Sequence, residues 1–110
     1  MPHLSRYDAD CPVARALSSV GGKWSSGVIG RLAHGPARFG ALRRAAQGDR
    51  PKPPTAKVLT EELRRLEEAG IVARVQQEGR APRYRLTEKG RALVPLLDDL
   101  AEWSRETAEA

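Results

Sequence analysis

The capping signals in the second half of the chain constrain the fold most. Thr55 is a favourable N-cap, and the amphipathic segment that follows it ends at Gly70, a residue suited to terminating a helix. Two strand-like runs follow at once, at 71–77 and 83–86, and the short linker between them contains glycine and proline. The sequence therefore predicts a capped helix that leads directly into a β-hairpin, with Arg80 near the tip of the hairpin.

Short elements precede this unit. Pro at the first helical position and a Gly-Gly stop predict a helix over Pro12–Val20, and a second helix is expected over 23–34. An extended stretch at 37–39 leads into a short helix at 41–46. The segment 48–54 contains three prolines and cannot continue that helix. Within the capped helix, Val58, Leu59, Leu63 and Leu66 are the expected buried residues.

The last helix is predicted over 88–107, with Thr87 as its cap and Pro95 as a point where it kinks or restarts. One stripe of this helix is apolar. A core position would explain that stripe, but a domain this small has little core left to fill, which favours packing against a second copy. The residues predicted to form this dimer interface are Leu93, Leu96, Leu97, Leu100 and Trp103.

Charge is segregated along the chain. The 110 residues carry a formal charge of +5, which fits one small domain with a basic partner-binding surface. Basic residues dominate 38–57 and 74–91, whereas acids dominate 92–110. We therefore expect the middle of the chain to face nucleic acid and its end to face away, although basic runs can also be merely solvated surface.

Several function classes are disfavoured. The apolar runs are far shorter than the roughly 20 residues that span a bilayer, and the N-terminus lacks the apolar segment of a secretion signal. One Cys and two His do not reach the count of a Cys/His zinc site, which leaves only carboxylate ligation open. Gly21-Gly22-Lys23 lacks the other residues of a phosphate loop. The sequence predicts a cytoplasmic protein without catalytic residues, metal or cofactor.

Two short helices across a turn, followed by a hairpin, predict a winged helix-turn-helix, an α+β fold that is mostly helical. Residues 1–110 would form one domain: an arm over 1–10, helices over 12–34, the helix-turn-helix and wing over 37–86, and a dimerisation helix over 87–107. A helix fits the major groove of B-DNA, and a hairpin tip reaches the backbone or the adjacent minor groove. The aromatic residues do not cluster with the arginines, which favours double-stranded DNA over a single strand.

Six segments, in this order and spacing, form a specific pattern: Cys11-Pro12-Val13, Gly21-Gly22-Lys23-Trp24, Gly35-Pro36-Ala37-Arg38-Phe39-Gly40-Ala41-Leu42-Arg43-Arg44, Lys57-Val58-Leu59-Thr60, Leu63-Arg64-Arg65-Leu66-Glu67-Glu68-Ala69-Gly70-Ile71-Val72 and Tyr84-Arg85-Leu86-Thr87-Glu88-Lys89-Gly90. In these segments the chain resembles the HxlR family of bacterial winged-helix transcription regulators, relatives of MarR-type regulators, from about Cys11 to Trp103. The resemblance implies a homodimer that reads a palindromic operator, with a recognition helix over 57–69 and a wing that contains Arg80.

The linker before the recognition helix is longer than the family usually has, and its prolines stiffen it. Arg50 and Lys52 in this linker either contact an additional phosphate or belong to a surface insertion without effect. Taken together, the residues predicted to bind DNA are Arg38, Arg43, Arg50, Lys52, Thr55, Lys57, Thr60, Glu61, Arg64, Arg80 and Arg83.

Two further features concern regulation. Small residues at 25–30 either leave a ligand cavity near the dimer interface, with Trp24, Gly27 and Val28 as its candidate lining, or allow close helix packing. Cys11 stands where family members often sense oxidants or electrophiles.

A helix N-terminus and Arg15 favour the Cys11 thiolate, whereas Asp8 and Asp10 favour the neutral thiol. With no second cysteine, an oxidised form would be a Cys11–Cys11 bond between subunits or a mixed adduct.

The function predicted is a dimeric DNA-binding regulator that responds to an oxidant, an electrophile or a small hydrophobic ligand. The competing interpretation is a winged helix that binds protein, or a ligand sensor with weak DNA binding. Salt-resistant, sequence-specific retention of DNA would separate the two.

Overall fold

A computed structural model describes residues 12–108, apart from the side chain of Ala14. The described chain is mostly helical and contains a small antiparallel sheet, which confirms the predicted fold class. Its elements are α1 (Pro12–Val20), α2 (Ser25–Leu32), β1 (Ala37–Arg38), α3 (Phe39–Gln47), α4 (Ala56–Glu68), β2 (Val72–Val75), β3 (Arg83–Leu86) and α5 (Glu88–Thr107).

The sheet has the strand order β1-β3-β2, so β3 is central and β1 joins it across a long stretch of sequence. Ala37 pairs with Tyr84 on one side of β3, and Val72 pairs with Leu86 on the other. The hairpin is confirmed, but β2 is shorter than predicted. The chain turns where the amide N of Arg80 donates to the carbonyl of Gln77 at 3.0 Å, so the residues before this turn leave the ladder.

Both predicted helix caps of the second half are confirmed. The Thr55 hydroxyl accepts a hydrogen bond from the amide N of Val58 at 3.2 Å, and the Thr87 hydroxyl accepts one from Gly90 at 3.0 Å. Gly70 ends α4 with a positive φ of 77°, a conformation that an L side chain rarely adopts. Helix α4 therefore has a defined start and a defined end.

The buried face of α4 corrects one prediction. Leu59, Leu63 and Leu66 are buried as expected, whereas Val58 is 38% exposed. Val58 precedes Leu59 by one residue and is rotated from it by about 100° around the helix. It therefore lies on the flank of the apolar stripe and partly faces solvent.

Helix α2 is two residues shorter at each end than predicted, and it packs tightly on α3. Val28 and Ile29 are buried in the core with Leu42 of α3. A Cβ at Gly27 would lie 2.4 Å from the carbonyl oxygen of Ala45, so the two helices meet backbone to backbone. Of the two alternatives for residues 25–30, close packing is what the structure has at Gly27. Helix α3 itself is longer than expected.

Helix α5 continues through Pro95 without interruption, so the predicted restart is wrong. The apolar stripe predicted as one interface is divided between two environments. Leu93 and Leu97 are partly buried against the core, whereas Leu96, Leu100 and Trp103 are 50% or more exposed. The division follows from helix geometry, because the apolar residues of α5 occupy a wider arc of the helix surface than the part that faces the core.

Candidate nucleic-acid interface

The polar face of α4 presents the predicted recognition residues together. Lys57, Glu61 and Arg64 are spaced four and three residues apart, so they lie on one face, and all three are exposed. Among the described residues none of these three takes part in an ion pair. Thr60 is half-buried beside them, and Thr55 is exposed at the cap. Because Leu59, Leu63 and Leu66 on the opposite face of α4 are buried in the core, this polar face is directed toward solvent.

Val58 adds an exposed apolar side chain to the N-terminal turn of the same helix. Its exposed side chain neighbours Lys57 in sequence, on a turn that in helix-turn-helix proteins contacts base edges. An exposed aliphatic group can contact the methyl group of thymine. Sequence reasoning assigned Val58 to the core and so missed its exposure on this side of the helix. The spacing of Leu59, Leu63 and Leu66 alone defines the buried stripe and could have identified it.

The hairpin and β1 form a second basic region. Arg80 is exposed in the hairpin turn, and Gly79 before it adopts a positive φ of 73°. Arg83 and Arg38 are register partners on the adjacent strands β3 and β1. The pairing brings together two predicted DNA-binding residues that are far apart in sequence.

Arg43, another predicted DNA contact, has a structural hydrogen bond. Its Nε donates to the carbonyl oxygen of Pro54 at 2.7 Å, and the side chain of Pro54 is fully buried. This contact joins α3 to the end of the linker just before α4 begins. Arg43 therefore helps to position the start of α4.

The proline-rich linker is also held at its other end. The guanidinium carbon of Arg50 lies 4.9 Å from the centre of the Trp24 ring, and Lys23 Nζ lies 4.8 Å from it. Gln47 Nε2 donates to the carbonyl of Arg50 at 3.0 Å. Trp24, predicted as a cavity residue, is thus in contact with two cations. Lys52 is exposed in the same linker.

Arg65 makes a contact that sequence reasoning missed. Its Nη1 donates to the carbonyl oxygens of Ser18 at 2.8 Å and Ser19 at 2.6 Å, at the end of α1, while Nη2 forms an ion pair with Glu62. The last carbonyls of a helix lack partners within that helix, so this arginine satisfies them from α4. Helices α4 and α1 are therefore directly linked by hydrogen bonds.

Apolar side chains are exposed on both terminal helices that the structure describes. Val13 and Leu17 of α1 are 46% and 57% exposed, and they join Leu96, Leu100 and Trp103 of α5 in this respect. A cleft of about 690 Å³ lies between α2 and α5, with Ile29, Leu97 and Leu100 among its lining residues. Neither Gly27 nor Val28 borders this cleft.

Other predicted features are reported for the described residues only. Cys11 lies outside them. Within 12–108, no three His, Asp or Glu side chains come together as a metal site would need, and no helix is long and apolar enough to cross a membrane.

These elements define a winged helix-turn-helix, a class of DNA-binding domain. Helix α3, the linker and α4 form the helix-turn-helix, and the β2–β3 hairpin forms the wing. Exposed cations lie on α4 and on the hairpin, the two elements with which domains of this class contact duplex DNA.

Comparisons with known proteins agree with this assignment to the winged helix-turn-helix class. A family model described as HxlR-like helix-turn-helix matches residues 19–110. An uncharacterized HTH-type transcriptional regulator of Methanothermobacter thermautotrophicus is 37% identical, over 96% of this chain and 84% of its own. The structure of the putative HTH-type transcriptional regulator YtcD matches with a TM-score of 0.76 and 32% identity, over 91% of this chain and 99% of that one.

The redox regulator HypR in its reduced form matches with a TM-score of 0.75 and 34% identity, over 90% of this chain and 95% of that one. The chain belongs to the HxlR-like helix-turn-helix family. Members of this family are DNA-binding transcriptional regulators rather than enzymes, and so is this chain.

Proposed function

We propose that this regulator acts as a homodimer that binds a palindromic operator, with one α4 helix in each of two successive major grooves. The observation that carries the proposal is the outward face of α4, on which Lys57, Glu61 and Arg64 are exposed and free of ion pairs within the described chain. Arg80 at the hairpin tip would contact the backbone or the adjacent minor groove.

The exposed apolar residues of the terminal helices support the dimer. Leu96, Leu100 and Trp103 lie on one side of α5, and an exposed apolar surface of this kind is typical of a subunit interface. Twofold pairing through α5 would keep its acidic residues away from DNA. It would also place the two α4 helices about 34 Å apart, one turn of B-DNA.

Cys11 is the candidate sensor. HypR is described as a redox regulator and was solved in reduced and oxidized forms, and YodB of Bacillus subtilis was solved after diamide treatment. Since this chain has one cysteine, an oxidised form would join Cys11 of two subunits or carry a mixed adduct. DNA binding by wild type and Cys11→Ser before and after diamide tests this. Equal insensitivity of both proteins would exclude the sensor.

A small hydrophobic effector has a candidate site in the cleft between α2 and α5. The cleft is lined by Ile29, Leu97 and Leu100, and its volume of about 690 Å³ is in the range that holds a small ligand. Thermal shifts with a panel of hydrophobic compounds test it, with Gly30→Leu as the variant that fills an open position on its lining. Equal shifts for wild type and variant would argue against this site.

The decisive test of the proposed function is DNA binding against salt. We expect wild type to bind the region upstream of its own gene with a preference of at least about 10³ over scrambled DNA at physiological salt. Lys57→Ala with Arg64→Ala should abolish this preference and leave the fold intact, because both side chains are exposed. Wild-type binding that disappears at physiological salt would instead favour the protein-interaction or ligand-sensing module.

A further inference from the structure

A cleft of about 600 Å³ lies between the end of α2, β1, the start of α3 and β3. Four arginines line it: Arg31, Arg38, Arg44 and Arg83. Each comes from a different element, so the fold, rather than a run of basic sequence, brings them together. The remaining lining residues are glycine, alanine and proline, which leave the cleft open to an incoming group.

No acidic residue of the described chain lines this cleft. Within the same residues none of the four arginines takes part in an ion pair, so their charge is not neutralised there. Among the residues that the structure describes, these guanidinium groups make one hydrogen bond, from Arg31 Nη1 to the carbonyl oxygen of Gly35 at 3.3 Å. Most of their N–H donors have no partner within that part of the chain. Four positive groups in one cleft repel one another, and a bound anion relieves that repulsion.

The donor set indicates the chemistry of the anion. A guanidinium group presents paired N–H donors that match two oxygens of a phosphate, and it stays charged at all relevant pH values. Apolar side chains do not cover the cleft, so it suits a phosphate that remains partly solvated rather than an enclosed ligand. Phosphodiester groups of DNA and free phosphate compounds share this chemistry.

The position of the cleft favours DNA. Arg83 is the first residue of β3 after the hairpin turn, and Arg38, its partner on β1, directly precedes α3, the first helix of the helix-turn-helix. We propose that this cleft, completed by Arg31 and Arg44, holds a backbone phosphate of the operator beside the wing. Arg31 and Arg44 are thereby added to the contact surface. The inference rests on the proposed function.

The phosphate contact has a defined signature. Each neutralised phosphate contributes about 0.9 to the slope of log affinity against log salt, and it carries no sequence information. Loss of one contact per cleft should reduce the slope of a dimer by about 1.8. The preference for operator over scrambled DNA should remain within about twofold of wild type, since base contacts are unaffected.

The experiment measures binding of labelled operator by fluorescence anisotropy from 50 to 300 mM KCl. The test variant is Arg31→Gln with Arg44→Gln, and Arg44→Gln alone serves as the second variant, because Arg44 makes no hydrogen bond or ion pair within the described chain. The matched control is Arg105→Gln, an exposed arginine of α5. We expect a reduced slope for both test variants and an unchanged slope for the control.

A second arm separates the two sources of phosphate. DNA-free protein is titrated with pyrophosphate at constant ionic strength, and wild type is compared with the double variant. If both test variants have the same salt slope as wild type, the inference is overturned, whether or not the cleft binds pyrophosphate. A folded variant that loses the preference for operator over scrambled DNA overturns it as well. If wild type itself shows no operator preference, the proposed function fails first, and that outcome is distinct.

Discussion

Arg65 offers the clearest test of how the recognition helix is held. Its guanidinium donates to the carbonyls of Ser18 and Ser19 and pairs with Glu62. Replacing it by Met keeps an unbranched stem of similar helix propensity but leaves these groups without their partner. The change therefore isolates the polar contacts between α4 and α1.

The magnitude follows from those contacts. A hydrogen bond from a charged donor contributes about 1.5–3 kcal/mol, and Arg65 makes two to backbone oxygens. Because its side chain is 35% exposed, solvent replaces part of what is lost, and we expect a total of about 2 kcal/mol. For a domain of this size the midpoint of thermal unfolding should fall by about 8 °C.

The assay is thermal and urea unfolding followed by circular dichroism at one fixed protein concentration, since dimerisation would make stability depend on concentration. The matched control is Arg64→Met, at the neighbouring position of the same helix, where the side chain is exposed. We expect the control to unfold within about 0.5 kcal/mol of wild type. If both variants unfold alike, Arg65 does not join α4 to α1 and the reasoning is refuted.

Three further predictions concern packing, sequence readout and assembly. Gly27→Ala should destabilise the fold by about 2 kcal/mol, because its Cβ would lie 2.4 Å from the carbonyl of Ala45, whereas Gly30→Ala meets no atom within 4 Å and should gain up to about 1 kcal/mol. Equal melting temperatures for the two variants would contradict this packing. Uracil in place of an operator thymine removes the methyl group that Val58 would contact, and it should weaken DNA binding by wild type about threefold to tenfold. The same replacement should leave the DNA affinity of Val58→Ala unchanged. A uracil effect of the same size in both proteins would exclude Val58 as the contact. Leu100→Lys should yield a folded monomer by light scattering, and a variant that remains dimeric would remove α5 from the interface.

Local signals in the sequence were sufficient for the order of the elements, for both ends of α4 and for the start of α5. Thr55 and Thr87 cap their helices through hydrogen bonds to residues three positions ahead, and Gly70 ends α4 by its own backbone conformation. Such interactions depend on neighbouring residues alone, so a short window of sequence contains them.

Contacts between distant segments could not be predicted in the same way. Arg65 donates to the carbonyl of Ser18, which is 47 positions away in the sequence. Arg43 donates to the carbonyl of Pro54 at the far end of the linker, and the sequence does not show the path that this linker takes. Arg65 and Arg43 donate hydrogen bonds to backbone carbonyls of other segments, whereas their sequence neighbours Arg64 and Arg44 make none within the described chain. The residue type and the charge of the surrounding sequence are the same for both members of each pair. Only the packing of α4 against α1 and of the linker against α3 distinguishes them.

The direct test of the account is hydroxyl-radical footprinting of the wild-type protein on the DNA upstream of its gene, with stoichiometry measured on the same duplex. We predict two chains per duplex and two symmetric protected half-sites, with centres one helical turn apart. A single unsymmetric footprint bound by one chain would contradict the central claim.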